Sequence, residues 1–198
     1  MERPDRRAEG ALARSQSNEH ELELLRRTTA RDREAFQELY RLYHRRLARF
    51  LTRMTRHFEV AEEIINDTMW VVWERAADFR GASQVSTWIM GIAYRRALKT
   101  LRRASMQIHS ADVDAPADVE DASVAVDEAD RRDIVMRALA QLPIEQRLVV
   151  EFTYYLGHSC ADIAEIMDCP VNTVKTRMFH ARRKLRVLLP ELSGLPED

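Results

Sequence analysis

The sequence predicts an all-α protein of two small helical domains joined by an acidic flexible linker. Three observations carry this. Apolar residues recur at i, i+3, i+4 and i+7 over Phe36–Met54, and a second stripe runs Val174, Met178, Ala181, Leu185, Leu188; this is the period of helices that bury one face. Between these stretches, Ala104–Asp130 has no Lys or Arg but carries Asp112, Asp114, Asp118, Glu120, Asp121, Asp127, Glu128 and Asp130, beside Pro116 and many Ala and Ser. Such a composition cannot build a core. Finally, 198 residues suit one domain or two small ones. The expected organisation is an N-terminal extension over 1–18, domains over 19–103 and 131–190 flanking the linker 104–130, and a tail over 191–198.

At 45% hydrophobic residues the chain can fold, and its net charge of −1 conceals strong segregation of sign. It has no apolar run of about 18 residues, so no membrane span or insertion is expected. Met1–Ala13 is charged and lacks the apolar centre of a signal peptide, so a cytoplasmic location is expected. Cys160 and Cys169 bracket a short predicted helix whose length, at ~1.5 Å per residue, holds them more than ~10 Å apart. A disulfide needs Cα atoms within ~7 Å. The same separation argues against a zinc site formed with His158 and His180, and no metal or cofactor is expected.

In chain order, Met1–Gln16 is polar and aperiodic and reads as a mobile extension. Glu19–Thr28 reads as a short helix with Leu22 and Leu25 inward. Asp32 caps the long helix of the first stripe. A helix over Val60–Ala77 places Val60, Ile64, Thr68, Val71 and Val72 on one face, while Met69, Trp70 and Trp73 fall elsewhere. A helix apolar all round is either buried on two sides or docked on a partner. With Asn66, Asp67 and Glu74 nearby, the tryptophans suit protein docking.

Phe79–Ser86 reads as a loop, freed by Gly81 and containing Ser83, and leads into a helix over Thr87–Arg103. Arg80, Arg95, Arg96, Lys99, Arg102 and Arg103 make this segment basic without acids. Trp88 heads a line through Arg95, Lys99 and Arg102, an arrangement suited to an unstacked base and its phosphates.

The second domain opens with Ile134, Val135, Ala138, Leu139 and Leu142 inward. Pro143 begins a helix with Leu148, Val149, Phe152, Tyr155 and Leu156 inward, which Gly157 ends. Cys160–Leu189 then reads as two helices around the turn Asp168–Val171, the second capped by Asn172 and stopped by Pro190. Outside its apolar stripe this last helix carries Lys175, Arg177, Arg182, Arg183, Lys184 and Arg186 and no acid. A short helix, a tight turn and a basic second helix form the pattern of a DNA-binding helix-turn-helix. Phe179 lies on the basic side beside Asn172, Lys175 and Thr176, where an aromatic can meet a thymine methyl in the major groove.

The ordered set of motifs resembles an extracytoplasmic-function (ECF) sigma factor of the sigma-70 family. Asp32-Arg-Glu-Ala-Phe-Gln-Glu-Leu-Tyr40 is similar to the start of that family's region 2. Asn66-Asp67-Thr68-Met69 through Trp73 resembles its polymerase-docking helix, and Phe79-Arg80-Gly81 with Ser86-Thr87-Trp88-Ile89 its promoter-melting segment. Leu142-Pro143, Ile163-Ala164-Glu165-Ile166 and Pro170–Arg177 resemble region 4. The resemblance implies a factor that binds core RNA polymerase, directs it to specific promoters and melts the −10 region, under control of an anti-sigma factor. Core polymerase would be bound through Asn66, Asp67, Met69, Trp70 and Trp73. The single-stranded −10 element would be held by Arg80, Gly81, Ser83, Ser86, Trp88, Arg95, Arg96, Lys99, Arg102 and Arg103. The duplex −35 element would be read by Asn172, Thr173, Lys175, Thr176, Arg177, Phe179, His180, Arg182 and Arg183. The acidic linker would pass through the polymerase toward the RNA exit path.

A stand-alone duplex-binding regulator is the competing reading, but it leaves the tryptophan surface and the basic loop-helix without a purpose. No Gly-rich phosphate loop, metal cluster or nucleophile-base pair supports an enzyme.

Overall fold

The computed structural model describes the backbone of residues 6–108 and 126–193 and the side chains of 17–103 and 133–192. It divides into two compact units, Met1–Val113 and Asp114–Asp198.

In the first unit, α1 spans Arg6–Thr29, α2 Arg33–Thr55, α3 Phe58–Arg75 and α4 Val85–Ile108, with a 3-10 turn at Ala76–Asp78 after α3. The helix begins at Arg6, not at Glu19, so most of the expected extension is helical. Arg6–Ser17 has no apolar stripe to signal a helix, yet half of it is Ala or Arg and it lacks Pro, and that propensity suffices. Residues 1–5 lie outside the described part. Leu24 and Leu25 turn inward, at 2% and 3% exposure, while Leu22 stays exposed. One turn earlier, the buried carboxylate of Glu21 accepts the Tyr43 hydroxyl at 2.5 Å and the Arg46 guanidinium at 3.0 Å, pinning α1 to α2. Burial, then the Glu21 charge, pushes the Tyr43 hydroxyl well above its ordinary range. It therefore remains a proton donor to Glu21.

Helix α2 starts where expected. The Asp32 carboxylate accepts the backbone N–H groups of Glu34 and Ala35 and the Arg27 guanidinium. The bond from Ala35, then that from Arg27, holds this carboxyl below its usual range. A carboxyl lowered in the folded state stabilises above its unfolded pKa and loses that contribution as pH falls through the folded one. Asp32→Ala is therefore expected to lower the melting temperature at pH 7, and the gap from wild type should close in acid. A gap equally large at pH 2 would remove the cap from the account.

The α2 core residues Leu39, Tyr43, Leu47, Phe50, Leu51 and Met54 are buried as their period predicts. From α3, Ala61, Ile64, Ile65, Thr68, Met69 and Val72 are buried, whereas Val60 and Val71 are half-buried. Helix α4 contributes Val85, Ile89, Met90, Ala93 and Ala97. It begins two residues before the expected Thr87. It also runs past Arg103 to Ile108, because Ala104–Ile108 contains no breaker.

The second unit holds α5 Val126–Ala140, α6 Ile144–Tyr154, α7 Cys160–Ile166 and α8 Val171–Ser193. Helix α5 starts inside the stretch read as linker, whose remainder, 109–125, lies outside the described residues. The core is built by Ala138, Leu139, Leu142, Leu148, Val149, Phe152, Ile163, Ile166, Val174 and Ala181. Tyr155 is not inward but 49% exposed, because α6 has ended and Tyr155 is its C-cap. Ser159 caps α7 in a capping box with Asp162. Asp168 adopts φ 49° in the turn, a left-handed conformation that Asp tolerates. Asn172 is not the cap of α8. The Pro170 carbonyl accepts the first helical bonds, from Thr173 and Val174, so Asn172 lies inside the first turn. Nor does Pro190 stop the helix, which continues to Ser193; so near the C-terminus, little helix is left for the missing N–H to disrupt. Among the described residues no helix is long and apolar enough to cross a membrane.

Candidate functional site

In the first unit the outer side of α3 presents Asn66, Asp67 and Trp70. Trp70 is 62% exposed, in a position to be buried only by something outside the unit. Two expected members of this surface behave differently. Met69 is 1% exposed and belongs to the core. α3 packs against both α2 and α4, so residues flanking its main stripe are covered as well. Trp73 is half-buried, its ring 5.0 Å from that of Phe36 and capped by the Arg31 guanidinium at 5.2 Å. Arg31 also donates to the Trp73 carbonyl and the Glu74 carboxylate. Asn66 accepts the Tyr40 hydroxyl, so this amide is held in place by α2.

The segment beginning at Arg80 leads away from this surface. Gly81 has φ 70° and open space around it, as its loop role requires. Ser83 is half-buried, and Ser86, inside α4, donates to the Gln84 side chain. Trp88 is half-buried against Phe79, with ring centroids 5.5 Å apart; one face is packed and part of the ring remains open. Arg95, Lys99, Arg102 and Arg103 are exposed along α4. Gly91, overlooked in the sequence, makes room for this row: a Cβ there would lie 3.2 Å from a terminal nitrogen of Arg95. Its signal was a glycine in mid-helix, one turn before an arginine. Arg96 departs from expectation. Its guanidinium is held by Asp67, so one ion pair links the two proposed interfaces.

In the second unit, α8 exposes Asn172, Lys175, Thr176, Phe179, His180, Arg182 and Arg183, with Thr173 half-buried. Phe179 is 63% exposed, edge-on to the His180 ring. The Thr176 hydroxyl donates to the Asn172 carbonyl at 2.9 Å. Arg177 is turned aside: it pairs with Glu145 of α6 and donates to the Cys169 sulfur at 3.5 Å. Arg182 lies over the Tyr154 ring at 5.9 Å, and Lys184 donates to the Gln141 carbonyl at 2.8 Å. Arg177 and Lys184, with Arg182 against Tyr154, brace α8 against the rest of the unit. The face left to a ligand centres on Asn172, Lys175, Thr176, Phe179 and Arg183.

Two family models match: Sigma-70 region 2 over residues 39–106 and Sigma-70 region 4 over 132–185. The ECF RNA polymerase sigma factor SigM of Mycobacterium tuberculosis is 36% identical over 171 residues, 86% of this chain and 85% of that protein. The chain belongs to the ECF sigma factors of the sigma-70 family. SigK of Mycobacterium bovis, another ECF RNA polymerase sigma factor, is 30% identical over 82% of this chain and 90% of its own length. CnrH, solved in complex with the cytosolic domain of CnrY, shares the fold at TM-score 0.64 and 19% identity, covering 87% of this chain and 98% of its own. The sigma factor RpoE of Bartonella quintana, solved with the anti-sigma factor NepR, shares it at TM-score 0.65 and 23% identity, over 78% of this chain and 96% of its own. In this ECF sigma factor the region 2 match takes in α3 and the basic part of α4, and the region 4 match runs from α5 into α8. The long α1 precedes both.

Proposed function

We propose that this sigma factor docks core RNA polymerase through Asn66, Asp67 and Trp70, holds the melted −10 strand on Arg80–Ser86 and α4, and reads the −35 duplex with α8. The observation that carries this is a basic, acid-free helical face with an accessible aromatic on each unit: Trp88 on α4 and Phe179 on α8. The two aromatics suit different tasks. Trp88, packed on one side by Phe79, offers a stacking surface for a single unpaired base. Phe179, projecting among exposed polar and basic groups, fits a thymine methyl in a duplex groove. Separate modules raise each other's effective concentration on one promoter. Met69 acts through the core of α3, and Trp73 acts by fixing the α1–α2 corner against it. An anti-sigma factor that covers these surfaces is the expected regulator, in line with the complex of the similarly folded sigma factor RpoE with the anti-sigma factor NepR.

Run-off transcription with bacterial core polymerase and a promoter library tests the assignment. Start sites sharing −35 and −10 boxes are expected. Tight duplex binding by the protein alone, with no transcripts, would instead favour the stand-alone regulator. Phe179→Ala is expected to lose discrimination at one base pair of the −35 box, about 1–3 kcal/mol. Its transcription from a −10-only template should be unchanged. Equal loss on every −35 sequence would show that Phe179 reads nothing.

A further inference from the structure

Helix α2 carries a charged face that the roles above do not use. From Leu39 to Phe58 the sequence has no acid. Arg41, Arg45, Arg49 and Arg56 are all exposed on the side opposite the buried stripe, and among the described residues none of them forms an ion pair. Arg46, by contrast, is engaged by Glu21. At the end of this row Phe58 is 63% exposed. It stands at the first position of α3, immediately before the first acid, Glu59.

The geometry points to a second nucleic-acid contact: the α2 arginine row binds DNA phosphates, and Phe58 stacks on a base. Four residues of helix advance about 6 Å, so Arg41 to Arg56 covers about 22 Å. A DNA strand advances about 3.4 Å per phosphate and so presents about six over that length. The cations are all arginine, whose planar fork matches phosphate oxygens and is weakly hydrated. The row also continues an interface already argued. The Asp67–Arg96 pair cross-links α3 to α4, which form a hairpin through residues 76–84. Phe58 lies nine residues before Asp67, about 14 Å, and Arg103 seven after Arg96, about 11 Å. In a hairpin both runs lead to the same end of the unit. Arg56 and Phe58 thus meet the basic end of α4, and one strand can pass from one to the other.

The test uses the full chain, with fluorescence anisotropy on labelled 30-nucleotide oligo(dT) and on a 30-base-pair duplex, between 50 and 200 mM salt. Each phosphate contact on a single strand contributes about 0.7 to the slope of log affinity against log salt. The triple variant R45Q/R49Q/R56Q is expected to flatten the oligo(dT) slope by about 2, and R49Q alone by about 0.7. Phe58→Ala is expected to weaken oligo(dT) binding about tenfold and leave the duplex unaffected. An unchanged slope in both the triple and the single variant overturns the proposal. So does weakened assembly with core polymerase at an unchanged slope, which would make the row a protein-docking face. Run-off transcription of the wild type separates this from the reading above: no transcripts alongside a flattened slope would sink the promoter assignment and keep the arginine row.

Discussion

Trp70→Ala is expected to weaken assembly with core polymerase by about 30-fold or more, the cost of at least ~2 kcal/mol typical of a central aromatic anchor. The ring is 62% exposed on the outer side of α3, so its removal should hardly move the melting temperature of the first unit. Its neighbour Met69 behaves oppositely. At 1% exposure, Met69→Ala leaves a cavity and should cost about 2–5 kcal/mol of stability. Titrating core polymerase with labelled protein, beside thermal melts of both variants, separates the two residues. Unchanged assembly for Trp70→Ala would discard it as the anchor.

The second large effect lies in α6. Arg147 and Glu151 are 8% and 3% exposed and approach to 3.9 Å. Arg147→Leu removes the cation beside the buried Glu151 carboxylate and is expected to cost about 3–5 kcal/mol, a large part of a small domain's stability. The double variant R147L/E151L removes both charges and should recover much of the loss. Urea melts of wild type, single and double variants measure this, and a double variant no better than the single would show that the two residues do not act as a pair. Since α6 supplies the Glu145 brace for α8, DNA binding by the single variant should fall with its stability.

Most residues whose period placed them in the core of α2 and α8 are buried there, with Phe36, Tyr40 and Leu185 half-buried at the edges of their stripes, because burial of a helix face repeats every turn and the sequence carries that repeat openly. Helix type and order were legible for the same reason. What escaped depended on partners distant in sequence. Arg177 looked like a DNA contact on its own helix, but its partner Glu145 lies 32 residues away. Asp67 and Arg96, 29 residues apart, likewise read as members of two separate surfaces. Met69 was misplaced because a helical wheel allows for one packed side, whereas α3 has two. Asn172 has a strong cap preference, but Pro170, with its fixed φ, sets the entry to α8 two residues earlier. The N-terminal half of α1 lacked any apolar stripe, so only propensity could have revealed it.

Two sets of residues share α8 without overlapping. Val174, Met178, Ala181 and Leu188 are buried, and Arg177 and Lys184 tie the helix to its neighbours. Asn172, Lys175, Thr176, Phe179 and Arg183 face outward and carry none of that work. Foldability and target choice are therefore separable traits in this helix. A lineage duplicating the gene can rewrite the outward positions one at a time, each intermediate still folded, and arrive at regulators that ignore one another's promoters.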